Sequence, residues 1–316
     1  MIASGRSAFA KMDKPLYFLA RAFIALLQSL PLTWVARIGR AGGALFYALD
    51  ARHRQVALKN LHLCFGHEKS TGELRAIAKE NFQRIGENFC CAAKTAGMTL
   101  EQLRGRIEFV GAEKILPKPG DSPRTRVLAI GHFGNFEIYA RFGQFLPAFK
   151  TATTYRGLRQ PSLNRLMQSL RERSGCLFFE RRTDAAALKV AMAQPGLLLG
   201  LLADQHAGAN GLQISFFGHE CSTSAAPALF ALRYHCPLSI GICYRVGLAK
   251  WRLEAGAEIA THENGHPRST EVIMADVNRA FERIIRQDPA NWFWVHNRWK
   301  PRASRIPTAV EIEDGR

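Results

Sequence analysis

The segment Gly131-His132-Phe133-Gly134-Asn135-Phe136-Glu137 sets an imidazole and a carboxylate five residues apart around a Gly-Asn turn. A carboxylate that accepts from one ring nitrogen fixes the tautomer and leaves the other nitrogen basic. It also stabilises the imidazolium that forms when that nitrogen takes a proton. Such a pair suits a general base acting on a hydroxyl, so the nucleophile can be the acceptor's own oxygen and no enzyme Ser or Cys is required. Asn135 reads as a helix N-cap, and backbone N–H groups at that helix start are candidates for holding an oxyanion. The rival chemistry is metal ligation by His132, Glu137 and Asp204, although no H-E-x-x-H or similar cluster accompanies them.

A pair of this kind needs a rigid frame. Val127 to Ile130 is a short apolar run that ends just before Gly131, followed by a helix-like segment from Phe136 to Leu146, which reads as strand, turn, helix. Gly196 to Ala203 is a second buried strand, ending at Asp204. Leu238 to Tyr244 is a third. Between them, Leu163, Leu166, Met167 and Leu170 have the spacing of an amphipathic helix, and Ala225 to Tyr234 also reads as helical. A helix over 70–96 opens with the capping-box pattern Ser70-Thr71-Gly72-Glu73, and a late helix carrying Val277, Phe281 and Ile285 ends before Pro289. Buried strands alternating with amphipathic helices predict an α/β fold with a mostly parallel or mixed central sheet, in which ligand chemistry collects at the carboxyl ends of strands. The expected organisation is a membrane-associated helical segment over 1–50, a catalytic α/β domain over 51–302 and a polar tail over 303–316.

The N-terminal expectation rests on Leu16 to Leu30. This stretch is apolar but interrupted by Arg21 and Gln28 and stopped by Pro31, and Arg37, Arg40, Arg52, Arg54 and Lys59 follow. Fifteen helical residues span about 22 Å, short of the ~30 Å hydrocarbon core, which leaves an interfacial helix or shallow anchor against an ordinary core helix. Over the whole chain, 43 Lys and Arg against 26 Asp and Glu give a net charge of +17, which draws polyanions to the surface. Nucleic acid, anionic lipid and a phosphorylated acceptor all satisfy that charge, but no nucleic-acid-binding motif is present. The seven cysteines form no CxxC pair and several lie in apolar runs, which favours free thiols in a reducing compartment. Trp292, Trp294 and Trp299 read mainly as packing residues, and His296 as structural.

The His132 segment resembles the Gly-His-x-Gly-Asn-Trp/Phe-Glu block of the lipid A biosynthesis acyltransferases, the late lauroyl/myristoyl enzymes of the HX4E-type superfamily. Other blocks follow in the family's order. They are Arg54 with Asn60-Leu61-His62-Leu63-Cys64-Phe65, Tyr155-Arg156 with Asn164 and Arg171, Leu202-Ala203-Asp204-Gln205, Phe216-Phe217-Gly218, and Asn291 through Lys300. Two departures stand out: Phe136 replaces the commoner Trp, and the N-terminal apolar stretch is shorter than the family's usual single span. The resemblance implies transfer of a fatty acyl chain from acyl carrier protein, or from coenzyme A, to a hydroxyl of a phosphorylated glycolipid, a lipid A precursor. It places the reaction at the cytoplasmic face of the inner membrane, with no cofactor, no metal and no nucleic-acid partner. Another glycolipid, an amino-lipid or a lysophospholipid remains an alternative acceptor. By the same resemblance His132 is the general base and Glu137 its orienting partner. Asp204 is a second acid able to exchange roles with Glu137, Arg156 and Arg171 hold anionic groups, and Asn135 and Gln205 complete the substrate site.

Overall fold

The computed structural model describes residues 3–118 and 120–300, so the expected tail over 303–316 lies outside the described residues. The chain opens with helices α1 (Ala3–Ser29), α2 (Leu32–Leu49), α3 (Ala51–Phe65), α4 (Thr71–Ala96) and the short α5 (Leu100–Arg104). Strand β1 (Ile107–Val110) and strand β2 (Arg126–Ile130) follow. After β2 come a 3-10 turn (Phe136–Arg141), α6 (Phe142–Phe145), β3 (Lys150–Tyr155), α7 (Pro161–Arg171), β4 (Leu177–Glu180), α8 (Ala185–Met192) and β5 (Leu197–Leu202). The hairpin β6 (Leu212–Phe216) and β7 (His219–Thr223), α9 (Ala226–Arg233), β8 (Leu238–Gly247), β9 (Lys250–Ile259) and α10 (Thr270–Gln287) complete the frame.

Strands β1, β9, β8, β2, β5, β3 and β4 lie side by side in that order. Neighbours from β8 through to β4 are parallel, β9 pairs antiparallel with β8, and β1 pairs parallel with β9. The sheet is therefore mixed, with a parallel half that carries the His132 strand. Along β2, alternate side chains serve opposite faces. Val127 and Ala129 join one buried cluster with Leu199, Leu201 and the apolar side of α10, while Leu128 and Ile130 join another with Leu198, Ile138 and Phe142. Both sheet faces are covered, as the near-continuous apolar strands require.

The helices outside the sheet are locked by local chemistry. Ser70 Oγ accepts from the Glu73 N–H at 3.3 Å, and the Glu73 carboxylate accepts from the Ser70 N–H at 2.8 Å, so the expected capping box starts α4. Glycines let α2 and α4 touch backbone to backbone. A Cβ on Gly43 would stand 2.1 Å from the carbonyl oxygen of Phe82, and one on Gly39 would stand 2.5 Å from that of Gly86. Glu87, fully buried on α4, accepts from Arg245 Nε at 2.8 Å and from the Ala249 N–H at 2.9 Å, which fastens the helix to the β8–β9 hairpin.

Two expectations change. The segment expected as a helix from Phe136 to Leu146 is a 3-10 turn followed by a four-residue helix. Tyr139 explains the tighter winding: its buried hydroxyl donates to the Gly241 carbonyl at 3.2 Å and accepts from the Cys243 N–H at 2.8 Å, so the turn is fixed to β8 rather than to its own helix. Helix α1 begins well before the apolar stretch that announced it. It buries Leu27 and leaves Phe18, Leu19, Phe23 and Leu26 exposed. Among the described residues no helix is long and apolar enough to cross a membrane.

Candidate active site

Strand register builds the site. Ile130 on β2 pairs with Leu202 on β5, and the Ala203 N–H continues the ladder by donating to the Ile130 carbonyl. His132 and Asp204 each stand two positions beyond that pair, on parallel strands about 4.8 Å apart. Their side chains meet: His132 Nδ1 lies 2.8 Å from Asp204 Oδ1, and the His132 backbone N–H donates to Asp204 Oδ2 at 2.8 Å. Arg156 follows the end of β3, the next parallel strand, and lines the same cavity. The carboxyl ends of three neighbouring strands thus converge on one place, as open parallel sheets dictate.

Asp204 is 1% exposed and accepts a third hydrogen bond, from Trp292 Nε1 at 2.9 Å. Burial pushes its carboxyl up. The charge of His132 and the donors from His132 and Trp292 outweigh that and hold it below the ordinary value. An ionised carboxylate on Nδ1 keeps the proton there and leaves Nε2 as the basic nitrogen. Nε2 lies beside Gln205, whose amide nitrogen is 3.4 Å away, while the rings of Phe136 and Phe293 flank the imidazole at 4.8 and 5.8 Å.

Trp292 is held by a strap whose tryptophans read in the sequence mainly as packing residues. Asn60 on α3 donates to the carbonyls of Trp294 and His296, and Asn81 on α4 donates to those of Ala290 and Trp292. The Gly134 N–H donates to the Asn291 carbonyl, and Phe133 forms a β-bridge with Trp292. The three tryptophans do pack: Trp292 meets both Trp294 and Trp299, Trp292 and Trp299 lie against Phe216, and Trp294 lies against Phe65 and Phe217. His296 is structural: its Nε2 accepts from the His206 N–H at 3.0 Å. Asn81 is not legible in the sequence, since an Asn within an apolar helical stripe carries no signal of a partner more than two hundred positions away.

Glu137 sits elsewhere than its expected place on the imidazole. Its carboxylate is taken by Arg171, whose Nε and Nη2 donate at 3.1 and 2.7 Å in a two-pronged pair. The Arg171 guanidinium also covers the Phe178 ring at 4.8 Å. Asn135 makes no side-chain cap; its amide is buried and without a hydrogen-bonding partner in the protein. The N–H groups of His132, Phe133, Gly134 and Phe136 are all donated within the protein, so these four are not open to an oxyanion. Polar donors facing the cavity come instead from Gln205, Arg156 and a residue not anticipated, Arg181. The carboxylates of Glu137 and Asp204 have different partners, and among the described residues no group of three His, Cys, Asp or Glu is placed to hold a metal ion.

The cavity in front of His132 has a volume of about 660 Å³. Its mouth is polar and cationic, and it deepens over the apolar face of β2, β5 and β3 past Leu128, Gly200 and Leu198. A basic imidazole at the neck of such a cavity can deprotonate a hydroxyl while an apolar chain lies below it.

Comparison with known proteins shows the family. The sequence model of the bacterial lipid A biosynthesis acyltransferase family matches residues 5–301. The lipid A biosynthesis palmitoleoyltransferase of Escherichia coli (strain K12) is 25% identical over 288 residues, which cover 88% of each chain. The lipid A biosynthesis acyltransferase of Shigella flexneri shows the same identity and coverage. The lipid A biosynthesis lauroyltransferase of Escherichia coli (strain K12) is 23% identical over 290 residues, 90% of each chain. The chain belongs to the bacterial lipid A biosynthesis acyltransferase family and is an acyltransferase.

Proposed function

We propose that this family member transfers a fatty acyl chain from a thioester, acyl carrier protein or coenzyme A, to a hydroxyl of a phosphorylated lipid A precursor, with His132 as the general base. The observation that carries the reading is the buried Asp204 carboxylate on Nδ1 of His132, which leaves Nε2, beside Gln205, as the basic nitrogen facing a chain-sized cavity. Nε2 takes the proton of the acceptor hydroxyl as its oxygen attacks the thioester carbonyl. The tetrahedral oxyanion collapses to the new ester, and the departing sulfur recovers the proton from the imidazolium. Asp204 stabilises that imidazolium, and the Gln205 amide and the guanidinium groups at the rim are the donors nearest the developing negative charge. Arg156 and Arg181, exposed at the cavity mouth, suit the acceptor's phosphate. The mechanism requires no cofactor.

The net charge of +17 favours encounter with both an acidic carrier protein and anionic lipid. The exposed apolar side chains of α1 and α2, among them Phe18, Leu19, Phe23, Trp34, Leu45 and Leu49, support docking of these helices in the cytoplasmic surface of the inner membrane. The test is incubation of the solubilised protein with a panel of acyl carrier thioesters and a tetra-acylated lipid A precursor, followed by mass spectrometry. The expected product carries one further acyl chain and disappears with His132→Ala. Transfer by that variant at the parent's rate would sink the mechanism.

A further inference from the structure

Behind the Glu137–Arg171 pair lies a second pocket of about 160 Å³, bounded by α1, α4, the 3-10 turn and α7. Its walls are mostly apolar, with Ile24, Phe89, Ala92, Ala96, Ile138 and Leu170 among them, and Thr95, Arg141 and Ser174 add polar groups. Glu137, Ala140, Met167 and Arg171 line both this pocket and the His132 cavity, so the ion pair is part of the partition between the two spaces. On its outer side the pocket meets α1, whose Phe23 and Leu26 are more than half exposed, and Phe89 at its edge is 52% exposed. Ile24 of α1 and the half-exposed Phe89 thus bring the pocket close to the apolar outer surface of α1, while its inner wall is shared with the catalytic cavity.

Acyl transfer between two lipid substrates brings two apolar chains to one base, and each must stay out of water, in a protein pocket or in the bilayer. The deep cavity beneath His132 is closed below by the sheet and suits the donor chain, which arrives on a soluble carrier. We infer that the pocket between α1, α4 and α7 receives an alkyl chain of the acceptor lipid, drawn in sideways past α1. The Glu137–Arg171 pair then holds the two chains apart and keeps the acceptor's head group on the His132 side. This assignment rests on the acyl-transfer reading above. It gives Glu137 a positioning role in place of contact with the imidazole.

The test uses the full-length protein and the double variant Ala92→Leu/Ala96→Leu, which fills the pocket with residues of high helix propensity and leaves the His132 cavity untouched. Three quantities are measured: thioester hydrolysis without acceptor over a series of donor chain lengths, KM for the acylated phosphoglycolipid, and KM for the same head group stripped of its chains. The expected result is hydrolysis within twofold of the parent, at least a tenfold rise in KM for the acylated acceptor, and an unchanged KM for the stripped one. An unchanged KM for the acylated acceptor overturns the assignment, as does a shift in donor chain-length preference. A second measurement needs no turnover. A phosphoglycolipid bearing a photoreactive group in its acyl chain should label the peptide around Phe89 to Ala96 in the parent and at least fivefold less in the variant. Labelling confined to the cavity floor at Leu128 and Leu198 overturns the proposal. If the wild-type protein transfers no acyl group, the acyl-transfer reading itself fails, a result distinct from either pocket outcome.

Discussion

Asp204 grips His132 at two points, the ring through Nδ1 and the backbone through its N–H, each at 2.8 Å. One carboxylate thus sets both the tautomer of the imidazole and the path of the chain that carries it. Asp204→Asn keeps the shape but no longer demands a proton on Nδ1, so the base at Nε2 is lost from most molecules. By analogy with the loss seen when a triad carboxylate becomes an amide, kcat should fall by roughly 10³ to 10⁴. Circular dichroism should remain that of the parent. Steady-state transfer with a thioester donor is the measurement, and a loss of less than tenfold would mean that Asp204 does not orient the base.

Trp292→Phe removes a single donor from that carboxylate and leaves most of the ring packing. The donor is charge-assisted and buried, a class whose loss costs about 1.5–3 kcal/mol. A fall in kcat of about tenfold or more is expected, together with a lower midpoint of thermal unfolding. Trp292→Phe that matches the parent in both respects would reduce Trp292 to packing alone.

Glu137 and Arg171 answer to each other. Removing either leaves a half-buried charge facing the cavity, whereas removing both leaves none. A double-mutant cycle of Glu137→Ala and Arg171→Ala should therefore be non-additive, with a coupling of about 1–3 kcal/mol in transition-state free energy. If the two losses simply add, the pair is not a unit in solution. A Glu137→Ala loss that persists in full on the Arg171→Ala background would return Glu137 to the imidazole.

Local chemistry made much of the frame legible. The Ser70 capping box, the apolar runs that became β2 and β5, and the helical spacing of Leu163 to Leu170 are short-range signals, and each appears where the residues imply it. Pairing was the hidden part. Nothing local says that β2 lies beside β5, and that adjacency is what puts Asp204 rather than Glu137 on His132. The turn after Asn135 was read as an ordinary helix because its tightness comes from Tyr139 reaching across to β8. The β6–β7 hairpin and the short edge strands β1 and β4 carry too few residues to show a period. The role of Trp292 was masked by its type, since a tryptophan in an aromatic run packs whether or not its N–H has a task.

His296 offers a test of the strap by acidity. Burial, the largest influence, lowers its pKa from an ordinary 6.5 to about 4; Asp204 opposes the shift, while His132, Arg298 and His206 add to it. The folded state therefore resists a proton that the unfolded chain accepts near pH 6.5. By linkage the contribution is fully present above pH 6.5 and is lost progressively as pH falls toward about 4, below which it changes no further. The depressed carboxyl of Asp204 acts in the same direction but only below its ordinary 3.8, so the two effects occupy different windows. Unfolding free energies from denaturant titrations between pH 7 and pH 4 should decline in the parent. In His296→Gln, whose side-chain oxygen reaches the position of Nε2 and can still accept from the His206 N–H, the decline should be shallower. Equal slopes for the two proteins would show that His296 already carries its proton when folded, and would remove it from the set of neutral residues that anchor the Trp292 strap beneath Asp204.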